Sequence, residues 1–300
     1  MKILRKESPK KPSVVTIGNF DGLHKGHLAL INKVENLKNK YGLCSVVFTF
    51  SVNTKFCSNL IFPQNQLKEY LEKLSVDYMI TPDFEKEIMG LTCEEFVKKY
   101  ICDILRAKYV VVGENFLFGN RKSGNASTLK MLGEKYGFKT IIVKSRTTEK
   151  QTVSSTLLRH YIKEGKMQKA NRLMYRNFSF WGNVKKGYRI GTDLLSIPTA
   201  NISVPKNTAE MKKGVYITLT TVDDTLYKSI TNVGKNPTNP KNHTTVETNI
   251  LGFNGDIYGK RIKVEFLKYI RNERAFKTQK ALKYQIEQDI LKAKKFFGEF

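Results

Sequence analysis

Two histidines three residues apart, His24 and His27, stand in the run Val14-Val15-Thr16-Ile17-Gly18-Asn19-Phe20-Asp21-Gly22-Leu23-His24-Lys25-Gly26-His27. The β-branched residues before Gly18 read as a buried strand, and a helix is expected to follow His27. Gly22 and Gly26 let the backbone turn tightly and approach a ligand closely. The free N–H groups and the dipole of a helix N-terminus attract phosphate. Two imidazoles beside such a turn can donate hydrogen bonds to phosphoryl oxygens, which points to nucleotide binding with charge stabilisation at phosphorus. Two other readings fit the same residues. The glycines and histidines can simply pack a connection, or the pair can ligate a metal, for which His160 and His243 are the other histidines of the chain.

A second stretch, Gly191-Thr192-Asp193-Leu194-Leu195-Ser196-Ile197-Pro198-Thr199-Ala200-Asn201, reads as a loop entering a strand. Thr199 and Asn201 supply neutral oxygens of the kind that suit a magnesium ion shared with ATP phosphates. Taken alone, such a run is more often an ordinary turn. Glu247, in a β-branched segment, is by itself an exposed strand carboxylate.

These residues need elements to hold them. Strand-like runs at Val14–Ile17, Ser45–Thr49, Tyr109–Val112 and Thr140–Val143 alternate with helical patterns. Leu30, Ile31, Val34 and Leu37 fall at helix spacing, as do Phe96, Val97, Tyr100, Ile101 and Ile104. That alternation predicts a parallel, doubly wound α/β sheet with ligands beyond the carboxyl ends of its strands. Past a helical segment holding Leu157 to Met174 the texture changes. Phe178–Val184, Gly214–Val222, Leu226–Asn232, Val246–Ile250 and Ile262–Leu267 are short strand-like runs between Gly, Pro, Asn and Asp clusters, the pattern of an antiparallel barrel or sandwich. A closing helix is predicted over 278–297, with Leu282, Ile286, Ile290 and Ala293 on one face. The boundary is placed near Asn177, giving domains 1–176 and 177–300.

Composition agrees. Three hundred residues, 40% hydrophobic and 11% aromatic, suffice for two buried cores. No apolar run approaches the roughly 20 residues that span a bilayer, and the opening Met-Lys-Ile-Leu-Arg-Lys-Glu lacks the apolar stretch of an export signal. Cys44, Cys57, Cys93 and Cys102 form no CxxC pair and have no His at metal spacing, so reduced thiols in a cytoplasmic protein are expected. The net charge of +25 fits either a polyanionic partner or a lysine-rich solvated surface. The basic residues are spread along the chain with no nucleic-acid motif beside them, so no nucleic acid and no membrane partner is expected, and a monomer or weak homo-oligomer is.

The first stretch, in its pattern Gly-x-Phe-Asp-Gly-x-His-x-Gly-His, resembles the nucleotidyltransferase signature in the form used by prokaryotic FAD synthetases. Val112-Gly113-Glu114-Asn115-Phe116-Leu117-Phe118-Gly119 resembles the flavin-side loop of that family, and Val153-Ser154-Ser155-Thr156-Leu157-Leu158-Arg159 its phosphate-closing segment. Two places depart from the pattern: Val52-Asn53-Thr54 stands where the family often has Pro-His-Pro, and Leu157 where it often has Arg. The second stretch resembles the Pro-Thr-Ala-Asn motif of riboflavin kinases, with Ser196 for the usual Gly. Gly182-Asn183-Val184-Lys185-Lys186-Gly187 precedes it. Asn232-Val233-Gly234 with Pro237-Thr238, Val246-Glu247 and Arg271-Asn272-Glu273-Arg274-Ala275-Phe276 come after it in family order.

The resemblance implies a Rossmann-like nucleotidyltransferase domain followed by a β-barrel riboflavin kinase domain with a C-terminal helix. It implies a bifunctional transferase: riboflavin to FMN, then FMN to FAD with release of pyrophosphate, with ATP as co-substrate in both steps and magnesium as cofactor. By the same resemblance His24 and His27 are catalytic at the first site. Gly18, Phe20, Asp21, Gly26, Ser155, Thr156 and Arg159 bind ATP or its phosphates, and Asn115 binds the flavin. At the second site Glu247 is the general base, Thr199 and Asn201 hold magnesium and ATP, and Arg271 and Glu273 shape the flavin side. The two departures leave an alternative, a riboflavin kinase whose first domain is weak or regulatory.

Overall fold

The computed structural model of the chain describes residues 1–5, 7–50, 59–148, 151–185, 199–204, 207–235 and 244–299. Residues 52–54, Cys57, 186–187, 191–198, 237–238 and His243, which belong to the motifs and candidate ligands of the sequence, lie outside them. The chain divides into two compact units, Met1–Leu157 and Leu158–Phe300.

In the first unit, strands β1 (Lys2–Leu4), β2 (Ser13–Ile17), β3 (Cys44–Phe48), β4 (Tyr78–Ile80), β5 (Ala107–Gly113) and β8 (Lys139–Val143) form one sheet in the order β1-β4-β3-β2-β5-β8. Every pairing in it is parallel. Parallel strands require helical crossovers, and these are α1 (Lys25–Tyr41), α2 (Gln64–Lys73), α3 (Cys93–Phe96) and α4 (Ala126–Tyr136). Helix α1 buries Leu30, Ile31, Val34 and Leu37, as its spacing predicts, and ends where Gly42 turns left-handed. From β2 the chain winds outward through β3 and β4, then returns to β5 on the other side. The reversal between β2 and β5 is a topological switch point, where such sheets bind ligands.

Two features differ from the sequence reading. Strands β1 and β4 are three residues each, too short to leave a periodic signal. The segment from Phe96 to Ile104 is helical but not α throughout: Thr92 and Glu95 form a capping box that starts α3, and Val97–Ile104 continues as a π-helix. Small β hairpins complete the unit, β6 (Leu117–Phe118) with β7 (Gly124–Asn125), and β9 (Thr147–Thr148) with β10 (Gln151–Thr152).

Helix α5 (Ser155–Lys163) runs from the first unit into the second, followed by α6 (Met167–Leu173). The second unit is an antiparallel sheet of β11 (Ser179–Asn183), β16 (Arg261–Arg271), β13 (Gly214–Val222), β14 (Thr225–Lys235), β15 (Thr244–Ile250) and β12 (Thr199–Ser203), in that order. The edges approach closure where the Lys185 N–H donates to the Asn201 carbonyl at 2.8 Å, making a nearly closed barrel.

Its interior holds Phe180, Tyr216, Ala200, Ile202, Val246, Val264 and Phe266. A chain of fully buried hydroxyls runs through it, Thr220–Ser229–Thr218–Thr231–Thr248, linked at 2.7–3.0 Å. On the outer face, Val215, Ile217 and Ile230 pack under Ala293 and Ile290 of helix α7 (Gln279–Phe296). Among the described residues no helix is long and apolar enough to cross a membrane.

Asn171 fastens α6 to the barrel. Its Nδ2 donates to the Phe266 carbonyl at 2.8 Å, and its Oδ1 accepts the Phe178 N–H at 2.9 Å. Asn171→Ala strands that N–H beside fully buried Phe178 and is expected to lower the stability of the second unit by about 2 kcal/mol in denaturant titration.

Candidate active sites

The first site is built on the turn between β2 and α1. Gly18 leaves the strand with its N–H donated to the Phe48 carbonyl at 3.0 Å. Phe20 and Leu23 are fully buried, yet both take positive φ, 50° and 36°. Backbone strain of this kind costs about 1–3 kcal/mol per residue and persists where packing over-determines the turn. Helix α1 starts at Lys25, three residues earlier than the sequence indicates, because His24 is itself the cap: its Nδ1 accepts the His27 N–H at 3.3 Å. His27 therefore lies in the first helical turn. Gly26 lets the His24 ring lie close, since a Cβ would stand 3.0 Å from it and press on the cap.

The cap has a chemical consequence. A neutral imidazole that accepts at Nδ1 carries its proton on Nε2, so His24 presents a donor. The rings of His24 and His27 are stacked, 3.6 Å between centroids, with Phe20 5.1 Å from His27. Burial pushes His24 down to about 4. Burial, and then repulsion from His24, hold His27 well below the usual histidine range. Both imidazoles are neutral donors at physiological pH. The His27 Nδ1 is out of solvent with no hydrogen-bond partner among the described residues. No group of three or more His, Cys, Asp or Glu able to hold a metal occurs among those residues, so the metal reading of the pair finds no third ligand there.

Asp21 is buried at this turn. Its Oδ1 accepts the backbone N–H groups of Ile61 and Phe62 at 2.8 and 3.3 Å, and its carbonyl accepts from Ser155 Oγ at 2.8 Å. Ser155 thus ties the start of α5 to the histidine turn. Thr156 beside it is exposed, and Arg159 stands one turn further along α5, within the second unit. On the other side of the switch point, the loop after β5 carries exposed Asn115, whose Oδ1 accepts from Ser145 Oγ at 3.1 Å.

The second site is a register row. Antiparallel pairing sets Asn201, Glu247, Asn232, Val215 and Arg271 opposite one another on β12, β15, β14, β13 and β16. Burial raises the Glu247 pKa, and a hydrogen bond from the Asn201 side chain opposes that rise. An amide can donate to a carboxylate only through nitrogen, so the Asn201 oxygen is left for another partner. Thr199 lies two residues before Asn201, on the same face of β12. The Asn232 Nδ2 donates to Glu273 Oε1 at 3.3 Å. The carboxylate of Glu273 lies over Gly234, where a Cβ would meet it at 2.1 Å. Arg271 turns to helix α7, with Nε and Nη2 at 2.9 and 2.8 Å from Asp289 Oδ2.

Two roles at this site escape the sequence reading. Asn232 is an unremarkable strand amide until its register is known. Asp289 leaves a trace: it falls three residues after Ile286 and four before Ala293, a charge on the apolar face of its helix.

Comparison with known proteins agrees in both halves. A family model described as FAD synthetase matches residues 6–157, and one described as riboflavin kinase matches residues 174–297. A Buchnera aphidicola (Schizaphis graminum) protein, the bifunctional riboflavin kinase/FMN adenylyltransferase, is 34% identical over 95% of this chain and 94% of its own length. The chain belongs to the bifunctional riboflavin kinase/FMN adenylyltransferase family. The Escherichia coli K12 member of the riboflavin kinase/FMN adenylyltransferase family is 30% identical over 99% of this chain and 98% of its own. A Streptococcus pneumoniae crystal structure, described as a macrolide-efflux protein, superposes with a TM-score of 0.86 at 29% identity, covering 96% of this chain and 97% of that one. These likenesses span nearly the whole chain.

The ionisable groups of both sites make stability depend on pH. A His whose folded pKa is lowered takes up a proton first when unfolded, so its stabilisation is full above pH 6.5 and lost as pH falls toward about 4. His24→Asn keeps the cap and is expected to remove about 3 kcal/mol of that acid sensitivity, read from melts of the first unit across the same pH range. Glu247 has the opposite sign: its raised pKa makes the buried carboxylate a cost that grows as pH rises through the folded value. Glu247→Gln is expected to stabilise the second unit by on the order of 1 kcal/mol above neutrality, with the gain vanishing in acid.

Proposed function

We propose that the chain makes flavin nucleotides in two ATP-dependent steps, phosphorylating riboflavin in the barrel and adenylylating FMN at the histidine turn. The observation that carries this reading is the register row that sets a half-buried Glu247 between Asn201 and Asn232, in a chain whose two halves match a riboflavin kinase and a FAD synthetase model.

In the barrel, Glu247 takes the proton from the terminal ribityl hydroxyl as its oxygen attacks the γ-phosphorus of ATP; the new O–P bond forms and ADP leaves. A carboxylate whose pKa is raised toward neutrality is a stronger base for that proton while still ionised. Asn201 orients it through the amide nitrogen. The amide oxygen of Asn201 and the hydroxyl of Thr199 are the groups that would hold magnesium, a hard cation that takes neutral oxygens alongside phosphate and water. Magnesium bound with ATP supplies charge neutralisation at the transferred phosphoryl group. Glu273 and Arg271 are assigned to the flavin side.

At the histidine turn, a phosphate oxygen of FMN attacks the α-phosphorus of a second ATP, and pyrophosphate leaves. No covalent enzyme intermediate is needed. The His24 Nε2–H, His27 and the N-terminus of α1 donate to phosphoryl oxygens as charge builds, and neutral donors avoid trapping the product by ion pairing. Gly18, Phe20 and Gly26 shape the cradle. Ser155, Thr156 and Arg159 are assigned to the phosphates, and Asn115 to the flavin. Asp21 supports the turn through Ile61 and Phe62.

The functional boundary is assigned to 176/177, with α5 and α6 packing with the barrel. Small molecules are the assigned partners, without nucleic acid or membrane, in a cytoplasmic monomer or weak homo-oligomer.

Chromatography of products tests both assignments. Riboflavin, ATP and magnesium should yield FMN and FAD, and FMN with ATP should yield FAD. Glu247→Gln should cut FMN formation by at least about 100-fold and spare FAD formation from supplied FMN; His27→Ala should do the reverse by about 100-fold. FMN formed by Glu247→Gln at the wild-type rate would falsify the base assignment.

A further inference from the structure

Asp289 is 1% exposed, on the helix face that also carries Ile290 and Ala293 against the sheet. A buried ion pair is often no more stable than an apolar pair of the same volume, so stability alone does not explain it. The partners of Asp289 give it a role. Oδ2 receives Arg271 Nε and Nη2 at 2.9 and 2.8 Å, and Oδ1 receives Gln285 Nε2 at 3.1 Å. Arg271 Nη1 then donates to the Asn272 carbonyl at 3.1 Å, and its guanidinium lies 5.9 Å from the Phe276 ring.

Beyond Arg271 the segment has few anchors of its own, chiefly the Tyr269 hydroxyl, which donates to Asn272 Oδ1 at 2.5 Å. Residues 272–275 are exposed and have no regular secondary structure, and Phe276 is only half-buried. The segment nevertheless lays Glu273 onto Asn232, opposite Glu247, and over Gly234, opposite Thr245. Arg271 occupies the same register row as Glu247 and is the last residue of β16.

We propose that Asp289 is a positioning residue of the barrel site, which through Arg271 pins the base of the 271–276 segment so that Glu273 and its neighbours wall the riboflavin side. This rests on the assignment of the barrel as the kinase. Asp289 touches no reacting group; it removes the freedom of a segment that would otherwise sample many conformations, and the substrate would have to order that segment on binding.

The test uses the full chain. Asp289→Asn is expected to raise KM for riboflavin about tenfold while KM for ATP stays within about twofold, a split that a general loss of fold would not produce. Tryptic cleavage after Arg274, followed by mass spectrometry, should quicken by about tenfold, since cleavage reads local opening. Either readout staying at its wild-type value in a cooperatively melting variant overturns the proposal. If Asp289→Asn does not melt cooperatively, the apolar pair Arg271→Leu/Asp289→Leu restores a partnered core, and the same two readouts decide. If the wild-type chain forms no FMN, the kinase assignment fails, and the cleavage rate alone then supports or overturns the pin.

Discussion

Antiparallel register is the constraint on which the second unit depends. Side chains alternate between faces of a strand, so a slip of one residue would carry Glu247 from the outer row into the hydroxyl-lined interior and bring Thr248 out. The pairing that keeps Asn201, Glu247 and Asn232 together also keeps Val215 and Ile217 under α7 and Phe266 inside. Packing and chemistry are thus secured by the same ladder. A site assembled from five strands inherits the rigidity of the sheet, while its loops and terminal helix supply what the sheet cannot.

The first unit solves a different problem with a different device. Its parallel sheet buries β2 on both faces and delivers the chain at a switch point, where loops from β2 and β5 emerge side by side. Charge is then managed by keeping the histidines neutral. Stacking at 3.6 Å and burial make protonation costly for either ring, and the cap to the His27 N–H sets the tautomer of His24. The strained Phe20 and Leu23 are held by complete burial, so the turn is fixed before any ligand arrives.

Much of this was legible in the residues. The strand before Gly18, the face of α1, the barrel strands and the terminal helix all carry strong local patterns, and the family motifs point to both sites. What local pattern could not supply is contact across the chain. Strands β1 and β4 exist because a neighbouring edge accepts them. That Asp21 braces the turn through the amides of Ile61 and Phe62, forty residues on, leaves no local trace. His24 reads as a donor alone, yet its other nitrogen starts the helix. Asn171 and Asn232 are ordinary amides, yet each donates to a residue tens of positions away, Phe266 and Glu273. Asp289 was visible as an anomaly, but its meaning required Arg271.

The hydroxyl chain inside the barrel constrains how this sequence can vary. In the chain Thr220–Ser229–Thr218–Thr231–Thr248 each end hydroxyl has one partner, so an apolar replacement of Ser229 or Thr231 leaves Thr220 or Thr248 without its partner in a dry interior, whereas loss of an end residue leaves no other hydroxyl alone. Replacing all five together by apolar residues of similar shape leaves no orphan. Drift through the chain therefore has an order: hydroxyls can be lost from the ends inward, Thr220 before Ser229 and Thr248 before Thr231, and the reverse order is disfavoured.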